Sequence, residues 1–70
     1  MFEQVIKEAD NITQLDEKID HVMEFYRNNN TTENYRRVRD WLHVEKTKYK
    51  EEREYFTSAI EILDSYKRGR

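Results

Sequence analysis

The sequence predicts an all-α fold: an antiparallel helical hairpin of two long helices, with a short N-terminal helix as a variant, assembled as a homo-oligomeric bundle. Three observations carry this expectation. The 70 residues contain no proline, and the one glycine is Gly69, so nothing before it forces a helix to break. Apolar residues recur at alternating spacings of three and four in both halves. Between the halves, Arg27-Asn28-Asn29-Asn30-Thr31-Thr32 holds no apolar side chain, and asparagine tolerates the left-handed conformation that ends many helices. A single domain over residues 1–70 follows, with helix one at about 2–27, a turn at 28–31 and helix two at about 32–67.

Helix one rests on Phe2, Val5, Ala9, Ile12, Ile19, Met23 and Tyr26, widened by Leu15 and Val22 and interrupted at Asp16. Roughly 25 residues at 1.5 Å each make it about 38 Å long. The alternative is a kink or restart at Asp10-Asn11, where Asn11 followed by Gln14 has capping spacing. Past the turn, Asn30 followed by Glu33 reads as the capping box of helix two.

Helix two keeps strict three-four spacing through Tyr35, Val38, Leu42, Glu45, Tyr49, Glu52, Phe56, Ala59, Leu63 and Tyr66, with glutamates at two of those positions. From Glu45 to Glu54 the only large apolar side chain is Tyr49. That stretch favours helix, with Lys48 and Glu52, and Lys50 and Glu54, spaced to pair, yet one chain should bury it poorly. Unbroken, helix two would run about 54 Å and outreach helix one. A bend near Thr47, giving three shorter helices, is the competing arrangement. Lys67-Arg68-Gly69-Arg70 forms a cationic end favourable to the helix dipole.

Composition narrows the function classes. Only 36% of residues are apolar and 40% are charged, against about 25% charged in an ordinary domain. A chain this short leaves roughly 40% of its unfolded surface exposed, so packing against a second copy or a partner is the economical expectation. A net charge of −2 gives no global attraction for membrane and repels duplex nucleic acid. Without cysteine there are no disulfides or thiolate metal sites. No apolar run approaches the ~18 residues of a membrane span. Met1-Phe2-Glu3 does not begin a signal peptide, so the expected location is cytoplasmic, the host cytoplasm if the protein is viral.

Catalysis is not expected. The two histidines, His21 and His43, have carboxylates at helical spacing in Glu24 and Asp40, but only Asp40-x-x-His43 runs in the order of a carboxylate-bridged metal motif. A surface histidine beside a solvated acid is the simpler reading, so no metal and no cofactor are expected. No local sharp turn exposes a nucleophilic serine, and one near-terminal glycine cannot build a phosphate loop.

A basic stripe is the stronger signal. Arg36, Arg39, His43, Lys46, Lys50 and Arg53 share one face of helix two, with Tyr35, Trp41 and Tyr49 on adjacent faces. Guanidinium and ammonium groups suit phosphates, and interleaved rings suit stacked bases. The bland alternative is a solvated face whose charges answer Glu17 and Glu24. The tyrosines sit mostly at core spacing. Trp41 lies just off the seam and either extends the core or anchors an interface, where tryptophan is enriched; the interface is preferred.

Trp41-Leu42-His43-Val44-Glu45-Lys46-Thr47, followed by Ala59-Ile60, resembles the second helix of phage-encoded helical-hairpin sponge proteins, the anti-CBASS and anti-Thoeris hairpin domains. The resemblance covers about twenty residues and rests on Trp-to-Thr spacing and the later Ala-Ile pair. The chain departs from the family at Asp40, where the family has arginine, and across Tyr49-Lys50-Glu51-Glu52-Arg53. It implies a non-enzymatic homo-oligomer that sequesters a cyclic nucleotide or related anionic signal between subunits, as a counter-defence protein. Trp41, Thr47 and neighbouring basic residues would lie near that interface. With the stripe, the candidate ligand-binding set is Arg39, Trp41, His43, Lys46, Thr47, Tyr49, Lys50 and Arg53. The alternative function is a small protein–protein module, an inhibitor or adaptor offering an apolar and aromatic helix face to a larger host protein.

Overall fold

A computed structural model describes residues 1–68 as four α-helices: α1 (Phe2–Asp10), α2 (Leu15–Asn28), α3 (Thr32–Lys48) and α4 (Arg53–Arg68), with a 3-10 turn at Lys50–Glu52 between the last two. Among the described residues there is no strand. Each predicted long helix is therefore divided, helix one near Asn11 and helix two at Tyr49, two residues beyond the bend foreseen near Thr47. Gly69 and Arg70 of the expected cationic end lie outside the described residues; Lys67 and Arg68 occupy the last turn of α4.

The first division lets α1 fold back along α2. Asn11 closes α1 in a right-handed conformation, its backbone N–H donating to the Glu8 carbonyl at 3.2 Å and that of Ile12 to the Ala9 carbonyl at 3.0 Å, and its side chain donates to the Lys7 carbonyl at 3.3 Å. It ends a helix rather than starting one, and α2 begins after Gln14 without a side-chain cap. The reversal packs Phe2 against Phe25 with ring centroids 5.7 Å apart and brings Glu8 within 3.0 Å of His21. His21 thus meets a carboxylate on α1 rather than Glu24 on its own helix. Ala9 becomes fully buried.

Asn28 ends α2 and Asn29, Asn30 and Thr31 form the turn, one residue later than expected, and the cap also differs from expectation. Thr31, extended at φ −104°, accepts from the Asn34 backbone N–H at 3.1 Å, whereas Asn30 and Glu33 were expected to cap. The Asn34 side chain also donates to the Asn29 carbonyl at 2.8 Å, so asparagines tie the turn from both sides.

The second division is the consequential one. At Tyr49 the backbone leaves the helix (φ −108°, ψ 66°), and α4 returns antiparallel to α3, with Tyr35 donating to Asp64 and Trp41 meeting Phe56. A continuous helix would carry Leu63 past the end of helix one and leave Phe56 at its very tip; in the bent chain both are fully buried. Burying each such side chain is worth about 1.5–3 kcal/mol. The interrupted helical hydrogen bonds cost about 0.5–1.5 kcal/mol net each. Burial wins, and among the described residues none is forced to positive φ. Thr47 donates to the Val44 carbonyl at 2.6 Å, a back-bond of the kind that loosens a helix near its end.

The core gathers Ile19, Val22, Met23, Phe25 and Tyr26 from α2, Val38, Trp41 and Leu42 from α3, and Phe56, Ala59 and Leu63 from α4, with Ala9 closing it from α1. α2, α3 and α4 pack against one another and α1 packs on α2, giving a body of 32 × 24 × 16 Å. The seam glutamates part company. Glu45 is 5% exposed and its carboxylate meets Lys48 at 3.1 Å, while Glu52 stays in solvent. Lys48 was expected to pair with Glu52, but the bend turns Glu52 away. The Glu45 hydrogen bond and charge hold the Lys48 ammonium above its ordinary pKa.

Candidate functional site

The bend cuts the predicted stripe. Arg39, Trp41, His43, Lys46 and Thr47 lie on α3, Tyr49 stands at the corner, Lys50 opens the 3-10 turn and Arg53 begins α4. Arg39, His43, Thr47, Lys50 and Arg53 are exposed and Lys46 is half-buried. The two rings of the set point elsewhere. Trp41 is 9% exposed and packs edge-on against Phe56 at 6.4 Å, so it extends the core, where an interface role was preferred. Tyr49 stacks on Phe56 at 5.7 Å and receives Lys18 from the α2 side, Nζ lying 3.3 Å from its hydroxyl and 5.5 Å from its ring centre.

Cations and rings are thereby separated. Arg36 and Arg39, with His43 beyond them, form a solvated face on α3, each one turn from the next. Such a face attracts anions through water, without the aromatic platform that holds a base. Tyr35, at the start of this face, donates to Asp64 at 2.5 Å and carries Lys67 over its ring at 4.4 Å. The Asp64 bond and burial raise the Tyr35 phenol above its ordinary pKa, against a smaller opposing pull from Arg39. Among the described residues no ion pair joins the stripe to Glu17 or Glu24. Nor does any group of three or more histidine, aspartate and glutamate side chains stand ready for a metal ion.

A different feature emerges between α2 and α4, which run parallel: Asp16 and Tyr55 share one end, and Arg27 and Tyr66 the other. The floor of this open groove is Ile19, Met23 and Ala59; Tyr55 and Ile62, 55% and 47% exposed, form its outer wall. Its volume is near 210 Å³, below the ~300–1,000 Å³ of sites that engulf small organic ligands. It suits inserted side chains better than a whole nucleotide.

The groove is electrically polar along its length. Asp16 and Asp20 sit on the α2 rim. At the far end, Arg27 donates to the Tyr66 hydroxyl at 3.2 Å and lies 3.5 Å from Asp20. The Tyr66 bond is the main reason its guanidinium pKa is raised. Around the α2 edge, a shallower cleft of about 490 Å³ is lined by Ile12, Asp16, Glu17, Asp20, His21 and Glu24. Four carboxylates give that cleft the wrong sign for phosphate.

The groove is not legible from the heptad seam, which runs through Phe56, Ala59 and Leu63. Its signal was a second apolar row one step away: Tyr55 and Ile62 stand seven apart, two helical turns, on a face the seam does not use.

Among the described residues, no helix is long and apolar enough to cross a membrane. No family model, no curated protein and no solved structure matches the chain.

Proposed function

We propose that the protein is a non-enzymatic helical interaction module whose working surface is the α2–α4 groove. The observation that carries this reading is the exposed apolar wall of Tyr55 and Ile62 beside an apolar floor in so polar a chain. The occupant is an amphipathic helix of another protein. Its apolar residues would enter between Tyr55 and Ile62, and a basic residue at one end would meet Asp16 and Asp20. Groove size and charge order favour a helix over a small molecule.

Photo-crosslinking amino acids at Tyr55 and Ile62, with one at Val44 as an exposed apolar control on α3, test this in the cells that make the protein. Discrete heavier adducts of one partner from both groove positions and not from Val44 are expected. No adduct, or equal capture from Val44, contradicts the reading.

The second reading is sequestration of an anionic nucleotide signal, supported by the exposed Arg36, Arg39 and His43 face. It predicts thermal stabilisation by cyclic di- or trinucleotides, because a ligand that binds only the folded state stabilises it by mass action. Arg39→Glu should abolish that shift and Ile62→Glu should leave it intact. No shift at millimolar ligand would dismiss it.

A further inference from the structure

The corner between α3 and α4 is unusual in what builds it. Tyr49-Lys50-Glu51-Glu52 contains neither glycine nor proline, and its lysine and glutamates are among the better helix formers. The corner residue keeps a negative φ with a ψ between the helical and extended regions, and a short 3-10 turn follows it, the kind of interruption found at hinges within long helices. The three-four seam runs through it without a phase change: Val38, Leu42, Glu45, Tyr49, Glu52, Phe56, Ala59 and Leu63 are all in one register. A loop that merely joins two helices has no reason to keep that register. A straight helix does.

We infer that the chain can open at Tyr49 into one continuous α3–α4 helix and exchange α4 with a second copy of itself, forming a domain-swapped dimer. In the closed chain, α4 is held by Trp41 against Phe56, Tyr35 donating to Asp64, and Arg27 donating to Tyr66. Every one of these contacts re-forms between chains after exchange, so the swapped dimer keeps the core. Only the corner differs. Opening completes the helical ladder through residues 49–52. It gives up the Tyr49–Phe56 stack, because residues seven apart in a straight helix stand about 10.5 Å apart along its axis. Glu52, useless to the closed core, then occupies a helix interior position that suits it. The inference does not depend on the groove having a foreign partner.

The test is refolding from denaturant at millimolar concentration, followed by light scattering on the separated species. A species of twice the 8.7 kDa chain mass is expected. Isotope-filtered proton contacts in a dimer refolded from mixed labelled and unlabelled chains should show the Trp41–Phe56 contact between chains. A dimer in which that contact stays within one chain overturns the inference, and so does the absence of any dimer. Lys50→Pro, at the first position of the 3-10 turn, should leave the monomer folded and weaken dimerisation roughly a hundredfold or more, because proline blocks the continuous helix. Should that variant fail to fold, Glu51→Gly makes the same test with a smaller, same-direction loss. Undiminished dimerisation in the folded variant would also overturn the inference.

Discussion

Phe56→Leu should destabilise the protein through the corner rather than through lost volume. Phe56 is fully buried, stacked on Tyr49 at 5.7 Å and edge-on to Trp41 at 6.4 Å. Leucine keeps an apolar side chain in place but removes both ring–ring interactions, worth about 0.5–1.5 kcal/mol each beyond burial. The expected loss is therefore about 1–3 kcal/mol, a large part of the roughly 3.5–10 kcal/mol that 70 residues sustain. In a domain of this size each kcal/mol moves the melting midpoint by about 4–8 °C. Thermal and urea unfolding followed by circular dichroism would measure both. Val44→Ala, on the exposed face of α3, should stay within about 0.5 kcal/mol of the parent. A Phe56→Leu loss no larger than that of Val44→Ala would refute the claim that the corner closes on Phe56.

Two further substitutions test individual contacts. Thr31→Ala removes the side-chain acceptor for the Asn34 N–H and should cost about 1 kcal/mol, while Asn30→Ala, at the position expected to cap, should cost less in the same urea titration. Tyr35→Phe removes the phenol that donates to Asp64. Because the folded-state pKa of Tyr35 is raised, its contribution is fully present below about pH 10, the ordinary tyrosine value, and is lost as pH climbs through the folded value. The stability difference between the parent and Tyr35→Phe should therefore be constant near neutrality and shrink at alkaline pH; a difference that grows there would contradict the assigned hydrogen bond.

The all-helical class was legible because periodicity and the absence of breakers agree with each other. The corner at Tyr49 was harder to place for the same reason: where every residue favours helix, local propensity is silent about where a helix stops. Tertiary burial of Phe56 and Leu63 decides it. Trp41 shows the limit of the stripe argument. One step off the seam of a straight helix it looks exposed, but once α4 folds back it faces Phe56. The candidate set loses its rings to the core through that one bend, while Arg39, His43, Lys50 and Arg53 stay outside as the charge pattern suggested. Glu45 reads as a flaw in the seam, but Lys48 three residues on is within helical reach of its carboxylate, and the bend, by turning Glu52 away, leaves Glu45 as the partner Lys48 meets.

The central structural claim, that the second half of the chain folds back on itself at Tyr49, can be measured as one distance. Spin labels at the exposed Arg36 and Ser65 positions, in labelled chains diluted with unlabelled ones at low protein concentration, report it by pulsed electron resonance. Because Tyr35 and Asp64 are in hydrogen-bond contact, the account predicts a label separation of about 20 Å or less after allowing for the label arms. A straight second helix would separate the labelled positions by about 44 Å, and a distribution centred there in the monomer would contradict the account.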